Sequence, residues 1–248
     1  MKNFKLAIVV FLITGFFSII KAQEKSKVTW KQLENQSADW YSSEEAQRIA
    51  DNVLLYQHNN GGWQKNIDMT VELNEKEIQQ LKKEQTNEVG TTIDNGATHT
   101  QLRYLAKVYS ASGNDVYKNA FLCGVDYLLE AQYENGGWPQ FYPVKKGYYE
   151  HITYNDGAMI GVMELLRNIT LEKKPYDFVD EDRKEKSQKA IEKGLEIILA
   201  TQVKVNDKRT IWCAQHDKDD FSPAKARAYE LPSLSGKEST EIVEYLIK

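Results

Sequence analysis

The chain has 248 residues, of which 41% are hydrophobic, 11% aromatic and 27% charged, and this composition excludes a disordered, low-complexity or collagen-like protein. At this length the chain forms one large domain or two small ones. Its formal net charge of −4 excludes the basic surface typical of nucleic-acid-binding proteins, so an anionic ligand would have to meet a local basic patch or a metal ion.

The first 22 residues have the pattern of a secretory signal peptide. Lys2 and Lys5 precede an apolar run over residues 6–20, and Ala22 provides the small residue of a cleavage site. The run has about 15 residues, whereas a membrane-spanning helix needs about 20. We therefore expect a secreted, periplasmic or cell-surface protein whose mature part, residues 23–248, forms one domain without a membrane span.

Six helices are predicted along the mature part, because apolar residues recur at i, i+3, i+4 and i+7. They cover residues 43–57, 97–110, 115–132, 157–169, 183–202 and 236–247. Residues 148–153 alternate well enough to predict one short strand, as the arm of a hairpin. The sequence therefore predicts a mainly α protein.

Two kinds of internal repeat link these helices. The pattern Gln-x-x-Asn-Gly-Gly-Trp occurs at residues 57–63 and again at 132–138, an offset of 75, and a weaker third copy surrounds Trp212. A pair of Asp and Asn followed by Gly-Ala precedes a helix at residues 94–97 and 155–158, an offset of 61. Paired helices repeated at such intervals predict an (α/α) toroid of helical hairpins, whose long loops gather at one end and form a cleft.

The cysteines and histidines do not indicate a familiar site. Cys123 and Cys213 are expected to stay unpaired, since one pair does not make a disulfide scaffold in a chain of this size. The four histidines lack the spacing of a zinc site. The sequence also contains no nucleophile elbow, phosphate loop or dinucleotide fingerprint, so nucleophilic hydrolysis and nucleotide chemistry have little support.

The Asn-Gly-Gly-Trp pattern has two interpretations. Gly-Gly after Asn is typical of a tight turn with Trp packed beneath it, but a tryptophan can also present a flat face to a sugar ring. Because the pattern repeats, the turn interpretation is favoured for Trp63. Trp138 precedes an aromatic segment, residues 139–143, and is a candidate substrate-binding residue.

The pairs Asp94-Asn95 and Asn155-Asp156 are candidates for a metal centre. Such residues before a helix commonly serve as N-caps. Two pairs at equivalent places in neighbouring repeats would also converge at the mouth of a toroid. Their oxygens suit calcium but fill only part of its 6–8 positions, so a substrate carboxylate could join them. Asp94 and Asp156 are the predicted metal ligands, and Asn95 and Asn155 are candidate substrate-binding residues.

A Pro-bounded loop towards the C-terminal end offers positive charge. Lys225 and Arg227 stand there beside aromatic residues. They are either simple surface charges or a basic clamp for a carboxylate, which the planar arginine side chain binds through two hydrogen bonds. His216, in the preceding segment 212–217, is a further candidate for substrate binding.

Five motifs together resemble the pectate lyases of polysaccharide lyase family 10. They are Thr-Thr-Ile-Asp-Asn-Gly-Ala-Thr at 91–98, Gly-Gly-Trp-Pro-Gln at 136–140, Tyr-Asn-Asp-Gly-Ala-Met at 154–159, Trp-Cys-Ala-Gln-His-Asp at 212–217 and Ala-Arg-Ala-Tyr-Glu at 226–230. The resemblance runs in order from about residue 40 to residue 248. It implies an (α/α) toroid that binds polygalacturonate, or pectin, with Ca²⁺ and cleaves it by β-elimination.

The resemblance also implies roles for single residues. Asp94 and Asp156 match motifs that serve the family's metal and substrate centre, and Arg227 matches an arginine that contacts substrate. Calcium would neutralise the galacturonate carboxylate so that a base can remove the weakly acidic C5 proton. The family's proton-abstracting arginine is expected beyond Lys248, so the toroid is expected to be incomplete at its C-terminus and the catalytic residue is unassigned.

Two alternatives to a calcium-dependent pectate lyase stay open. A pectate-binding protein would hold polygalacturonate without releasing an unsaturated product. An α/α-toroid glycoside hydrolase would use two carboxylic acids, for which Asp94 and Asp156 are candidates, and would leave saturated ends without needing calcium. In each case we expect a monomer whose partner is the polysaccharide, with no nucleic acid and no membrane partner.

Overall fold

The computed structural model describes residues 28–248, so the predicted signal peptide lies outside the described residues. The α-helices of this part are α1 Trp30–Leu33, α2 Glu44–Tyr56, α3 Glu75–Glu84, α4 His99–Ser112, α5 Asp115–Glu130, α6 Ala158–Thr170, α7 Glu181–Ala200 and α8 Gly236–Ile247. Its strands are β1 Ile152–Thr153, β2 Lys204–Val205, β3 Lys208–Arg209 and β4 Gln215–His216. The prediction of a mainly α protein is confirmed.

All six predicted helices are present, and their ends lie within two residues of the predicted ones. Capping residues fix several starts; for example, Ser43 Oγ accepts a hydrogen bond from Ala46 N at 3.2 Å at the start of α2. Periodicity does not predict α3, because this helix buries none of its residues. The sequence nevertheless marks its start with a capping box between Asn74 and Glu77.

The predicted strand over residues 148–153 is confirmed only in its second half. Tyr148–Glu150 forms a 3₁₀-helix, and only β1 is extended. β1 pairs antiparallel with β4, with Ile152 opposite His216 and Thr153 opposite Gln215. Its partner is therefore distant in sequence rather than the other arm of a hairpin, and local alternation carries no information about such a pairing.

The helices form two layers. In one layer α2, α4, α6 and α8 contact one another in that order, and in the other α5 contacts α7. Each of the hairpins α4–α5 and α6–α7 therefore contributes one helix to each layer, which is the packing expected of repeated helical hairpins. Since α4, α6 and α8 occupy successive equivalent places, the segments that precede them lie at the same end of the layers.

The two Gln-x-x-Asn-Gly-Gly-Trp segments form the same turn. In both, the Gln amide donates to the carbonyl of the first glycine at 3.0 Å and to a carbonyl of the following outer helix, α5 or α7. That glycine has a φ of +92° in Gly61 and +94° in Gly136. A Cβ there would lie 2.3 Å from Cys123 O or 2.2 Å from Lys193 O, so only glycine fits both places.

The tryptophans of the repeat pack beneath these turns. Trp63 and Trp138 are 0% exposed, and Trp212 is 3% exposed. Nε1 of each donates to a backbone carbonyl of the helix before it, at 2.8, 2.8 and 2.7 Å respectively. The turn interpretation thus describes both Trp63 and Trp138. The predicted substrate contact at Trp138 is wrong, because a side chain without exposed surface cannot stack on a sugar.

Two further expectations concern the described part as a whole. No helix within residues 28–248 is long and apolar enough to cross a membrane. Cys123 and Cys213 are both free thiols.

Candidate functional site

Two turns with the same backbone shape lie side by side where α4 and α6 begin. Asp94–Gly96 and Asn155–Gly157 are both 3₁₀ turns, and they contact each other. In each the second residue has a φ of +52°, and the glycine that follows has a φ of +77° or +70°. Asn, Asp and Gly tolerate this left-handed region best, which explains the residue types. The two pairs of Asp and Asn therefore converge, as the repeat predicts.

Asp94 supplies the buried carboxylate of the site, with only 2% of its side chain exposed. Its Oδ2 accepts a hydrogen bond from Gln140 Nε2 at 2.6 Å and forms an ion pair with Lys65 Nζ. Its Oδ1 is buried and has no hydrogen-bond partner within residues 28–248. Because a buried polar atom without a partner costs free energy, Oδ1 has unused capacity to bind a further ligand.

The two donors to Asp94 occupy equivalent positions of the repeat. Lys65 and Gln140 each stand two residues after the repeated tryptophan, and they are 75 residues apart. Neither was identified from the sequence as a site residue. The signal that could have found them is the offset of 75 itself, since it relates Lys65 to Gln140 just as it relates Trp63 to Trp138.

Asp156 supplies the exposed carboxylate. Its Oδ1 pairs with Lys237 Nζ at 3.0 Å, and its Oδ2 accepts a hydrogen bond from Asn155 Nδ2 at 2.7 Å. Its backbone N–H donates to Glu238 Oε1 at 3.3 Å, so the start of α8 supports this turn. The side chains of Asp156 and Lys237 are 46% and 60% exposed, and such a pair contributes at most about 1 kcal/mol.

The oxygens of the two turns fit a calcium ion in part. Within residues 28–248 no group of three or more His, Cys, Asp and Glu side chains is arranged to hold a metal ion. Asp94 and Asp156 nevertheless offer hard oxygen donors, one of them with an oxygen that lacks a partner, and the amides of Asn95 and Asn155 stand beside them. Because calcium takes 6–8 oxygens, substrate carboxylate and water would have to complete the shell.

The loop before α8 carries the predicted basic clamp. Arg227 is 74% exposed, and its guanidinium makes a two-pronged ion pair with Glu230, with Nε donating to Oε2 at 2.9 Å. This pairing raises the pKa of Arg227, and the charges of Tyr148 and Asp94 act on it in the same direction. Lys225 is also exposed and makes no ion pair within the described residues.

His216 is held inside the protein and does not face a ligand. Its side chain is 0% exposed; Nδ1 donates to Phe221 O at 3.0 Å, and Nε2 accepts from Cys213 N at 3.1 Å. Burial lowers the pKa of His216, which agrees with a neutral ring. The predicted substrate contact at His216 is therefore wrong, and the ring instead fixes the loop that leads to Arg227.

A group of lysines and aromatic rings beside Asp94 was not identified from the sequence. We define the lysine–aromatic patch as Lys65, Phe141, Lys145, Tyr148 and Tyr149. Nζ of Lys65 lies 5.7 Å from the centre of the Phe141 ring, and Nζ of Lys145 lies 5.5 Å from it. The sequence gives only a weak signal for this patch, a run of aromatic residues after Trp138 without a recognisable motif.

The chain is similar to known polysaccharide lyases. The family model for pectic acid lyase matches residues 57–248. Among solved structures, the family 10 polysaccharide lyase from Cellvibrio cellulosa is 37% identical, with a TM-score of 0.73 over 88% of this chain and 63% of that chain. A mutant of that lyase in complex with trigalacturonic acid matches at 36% identity, with the same TM-score and coverage. No curated protein sequence matches. The chain thus spans less than two thirds of the length of these solved lyases.

Proposed function

The chain belongs to the pectic acid lyase family, and we propose that it binds polygalacturonate and cleaves it by calcium-dependent β-elimination. The observation that carries this proposal is the meeting of the Asp94 and Asp156 turns, which brings two carboxylates to one end of the helical layers. The solved relative that holds trigalacturonic acid supports a polymer of galacturonic acid as the substrate. The signal-like N-terminus supports secretion or display at the cell surface, and we propose a monomer.

Asp94 and Asp156 would hold the calcium ion. Asp94 offers Oδ1, which has no partner to give up. Asp156 would exchange its exposed pair with Lys237, which costs little because both groups are solvated. When bound, calcium supplies positive charge that neutralises the substrate carboxylate and makes the adjacent C5 proton more acidic.

Arg227 would bind a substrate carboxylate. Its guanidinium already holds the carboxylate of Glu230 in a two-pronged pair, so a galacturonate carboxylate could replace Glu230 with the same geometry. Lys225 adds a second exposed positive charge on this loop, and Asn95 and Asn155 offer amide groups to the sugar hydroxyls. These residues would orient the sugar with its C5 proton towards the acceptor.

The elimination itself needs one base and one proton donor. The C5–H bond breaks, its electrons form a C4=C5 double bond, and the C4–O bond to the neighbouring sugar breaks. The proton from C5 passes to the base, and the departing oxygen gains a proton to become a hydroxyl. The residues named above would bind the substrate, and the base is unassigned.

The test is to incubate the mature chain, residues 23–248, with polygalacturonate and calcium. The expected result is growth of ultraviolet absorbance from the unsaturated uronate, which stops when a chelator removes calcium. A folded sample that binds the polymer without absorbance growth would be a pectate-binding protein. This outcome is distinguished because the chain spans only 63% of the solved lyase. New reducing ends without unsaturation would instead indicate a hydrolase.

Arg227→Ala tests the clamp. We expect it to weaken polygalacturonate binding about tenfold, the order expected for a lost charged hydrogen-bonded pair, while calcium affinity stays unchanged. Both affinities are measured by titration calorimetry. The matched control is Glu230→Ala, which frees the guanidinium and should bind the polymer at least as well as the wild type. Equal losses of calcium and polymer would contradict the clamp, and loss of turnover with binding intact would assign Arg227 to the proton transfer.

A further inference from the structure

The lysine–aromatic patch is a compact group of side chains. Nζ of Lys145 lies 4.2 Å from the centre of the Tyr149 ring, close enough for a cation–π contact. The rings of Phe141 and Tyr149 are 5.2 Å apart and nearly perpendicular, and those of Tyr148 and Tyr149 are 3.9 Å apart. The patch thus combines positive charge with aromatic surface in one place.

Backbone contacts attach the patch to the Asp94 turn. Gln140 donates its side-chain amide to Asp94. Its backbone is held on both sides, because its N–H donates to Tyr149 O at 3.1 Å and its carbonyl accepts from Ile93 N at 3.3 Å. Phe141 pairs with Thr92 in an isolated bridge. Lys65 belongs to both groups, because it pairs with Asp94 and faces the Phe141 ring. The patch and the carboxylate centre are therefore parts of one surface.

The charge of Lys145 is not balanced by a carboxylate. Lys145 is exposed, and within residues 28–248 it makes no ion pair; its ammonium group contacts the rings of Phe141 and Tyr149. The hydrogen bond from Tyr148 and the charges of Lys145 and Lys65 lower the pKa of Tyr149, which is a further sign of positive potential here. In a chain with a net charge of −4, this local excess suits an anionic ligand.

We propose that the lysine–aromatic patch is a uronate-binding subsite next to the Asp94 centre. Lys145 binds the carboxylate of a galacturonate residue one or more sugars along the polymer, and its contacts with the rings of Phe141 and Tyr149 hold its ammonium group in place. This inference rests on the proposed function, and it assigns to Lys145 the recognition of an unesterified carboxylate outside the Asp94 centre. An ester carries no charge for Lys145 to bind.

The test compares Lys145→Ala with Lys146→Ala in the mature chain. Lys146 is the adjacent lysine, is also exposed, and has no ring contact or ion pair within the described residues, so it controls for the loss of one positive charge. We expect Lys145→Ala to bind polygalacturonate about tenfold more weakly, as for a charged hydrogen bond, and Lys146→Ala to bind like the wild type. The measurement is calorimetric titration with polygalacturonate and, separately, with highly methyl-esterified pectin, on which Lys145→Ala should have little effect.

Two further readouts separate a subsite from a structural effect. Lys145→Arg keeps the charge and should retain most of the affinity for polygalacturonate. If the wild type cleaves the polymer, Lys145→Ala should raise KM and leave kcat nearly unchanged, as expected for a contact made equally in the ground and transition states. Equal affinities of the Lys145→Ala and Lys146→Ala variants would overturn the subsite while leaving the lyase intact. A wild type that binds no polygalacturonate would overturn the proposed function, and the subsite with it.

Discussion

The two turns of the site share a backbone and differ in where each places its acid. Asp94–Gly96 and Asn155–Gly157 have the same sequence of left-handed residues and each precedes a helix of the same layer. In the first turn the acid is the first residue, Asp94, and is buried; in the second it is the second residue, Asp156, and is exposed. The repeat therefore determines the conformation, and something outside the turn determines the charge.

The neighbouring repeat explains this difference. The carbonyl of Gln140 accepts a hydrogen bond from Ile93 N at 3.3 Å, and the carbonyl of Ala214 accepts one from Tyr154 N at 2.9 Å, so the same position of the next repeat supports both turns. Gln140 also supplies an amide to Asp94, whereas Ala214 has no polar side chain. An acid at the place of Asn155 would lack that donor, and a carboxylate is buried at a tolerable cost only where a donor awaits it. One residue of the adjacent repeat thus decides where the charge can be buried.

Removing the charge of Asp94 or of Asp156 should reveal the largest difference between the two turns. We expect Asp94→Asn to weaken calcium-dependent binding of polygalacturonate about 100-fold and Asp156→Asn about tenfold, because charge in a buried place is screened less by water and salt. Titration calorimetry with and without calcium measures both losses. Asp94→Asn should also lower the free energy of unfolding by about 1–2 kcal/mol, since Lys65 loses its buried partner.

The matched control for these variants is thermal unfolding, which separates loss of the site from loss of the fold. Similar losses of affinity in the two variants would mean that burial does not distinguish the carboxylates. Unchanged calcium-dependent binding in Asp94→Asn would remove Asp94 from the metal centre and leave it as the structural partner of Lys65 and Gln140.

Most of the fold could be predicted from the sequence, because the repeated turns contain residues that few other types could replace. Gly61 and Gly136 leave no alternative at their turns, since a Cβ would collide with the next helix, and the amphipathic stripes place α2 and α4 to α8. The sequence did not carry α3, which has no buried face. Nor did it carry the pairing of β1 with β4, because a two-residue strand owes its partner to tertiary packing rather than to local pattern.

The repeat predicts the convergence of the two Asp and Asn pairs, but Lys65 and Gln140, which also lie in the repeat, were missed. Asp94 and Asp156 stand in matched motifs, so their convergence follows from the architecture. Trp138 is a candidate from the aromatic segment that follows it and His216 from its place in the segment 212–217, but neither pattern shows that both side chains are buried, because burial is a property of the fold and not of the residue type. Lys145 was missed because a single lysine in a loop looks like any other surface charge in the sequence. Only the fold shows the rings that it contacts.

A smaller difference between the two turns lies in the helices that follow them. His99 starts α4, and the residue 61 positions later is Ile160 in α6. Both ring nitrogens of His99 are buried without a hydrogen-bond partner in the described part, and burial, followed by the charge of Arg103, lowers the pKa of His99 from 6.5 to about 3. Between these values the unfolded chain binds a proton that the folded chain does not. The contribution of the neutral, buried His99 to the free energy of unfolding is therefore fully present above pH 6.5 and decreases as the pH falls towards 3.

His99→Ile gives the first helix the residue of the second and should remove this pH dependence. Between pH 7.5 and pH 5.0 we expect the wild type to lose about 2 kcal/mol more of its free energy of unfolding than the variant, at about 1.4 kcal/mol for each pH unit below 6.5. Urea unfolding at the two pH values measures the difference. Because each protein serves as its own reference, a general destabilisation of the variant does not obscure the result. Parallel losses in both proteins would show that His99 titrates normally in the folded state.

The smallest expected effect tests whether the turns are equivalent in their backbones. Gly96 and Gly157 both have positive φ, so Gly96→Ala and Gly157→Ala should each cost about 1–2 kcal/mol of unfolding free energy. Gly113→Ala is the control for backbone strain alone, because Gly113 has a φ of +68° and a Cβ there meets nothing within 4 Å.

Small differences above that control should reflect the neighbours of each glycine. A Cβ on Gly96 would lie 3.2 Å from Thr100 Cγ2, and one on Gly157 would lie 3.1 Å from Glu241 Oε2. Thr100 is fixed by its hydrogen bond to Gly96 O at 2.8 Å, whereas Glu241 Oε2 makes no hydrogen bond within the described residues and ends a longer side chain, so Gly96→Ala should be the more costly by a few tenths of a kcal/mol. A Gly157→Ala variant that is more than 1 kcal/mol worse than Gly96→Ala would show that the second turn is held more rigidly than the first, because its neighbour could then not give way.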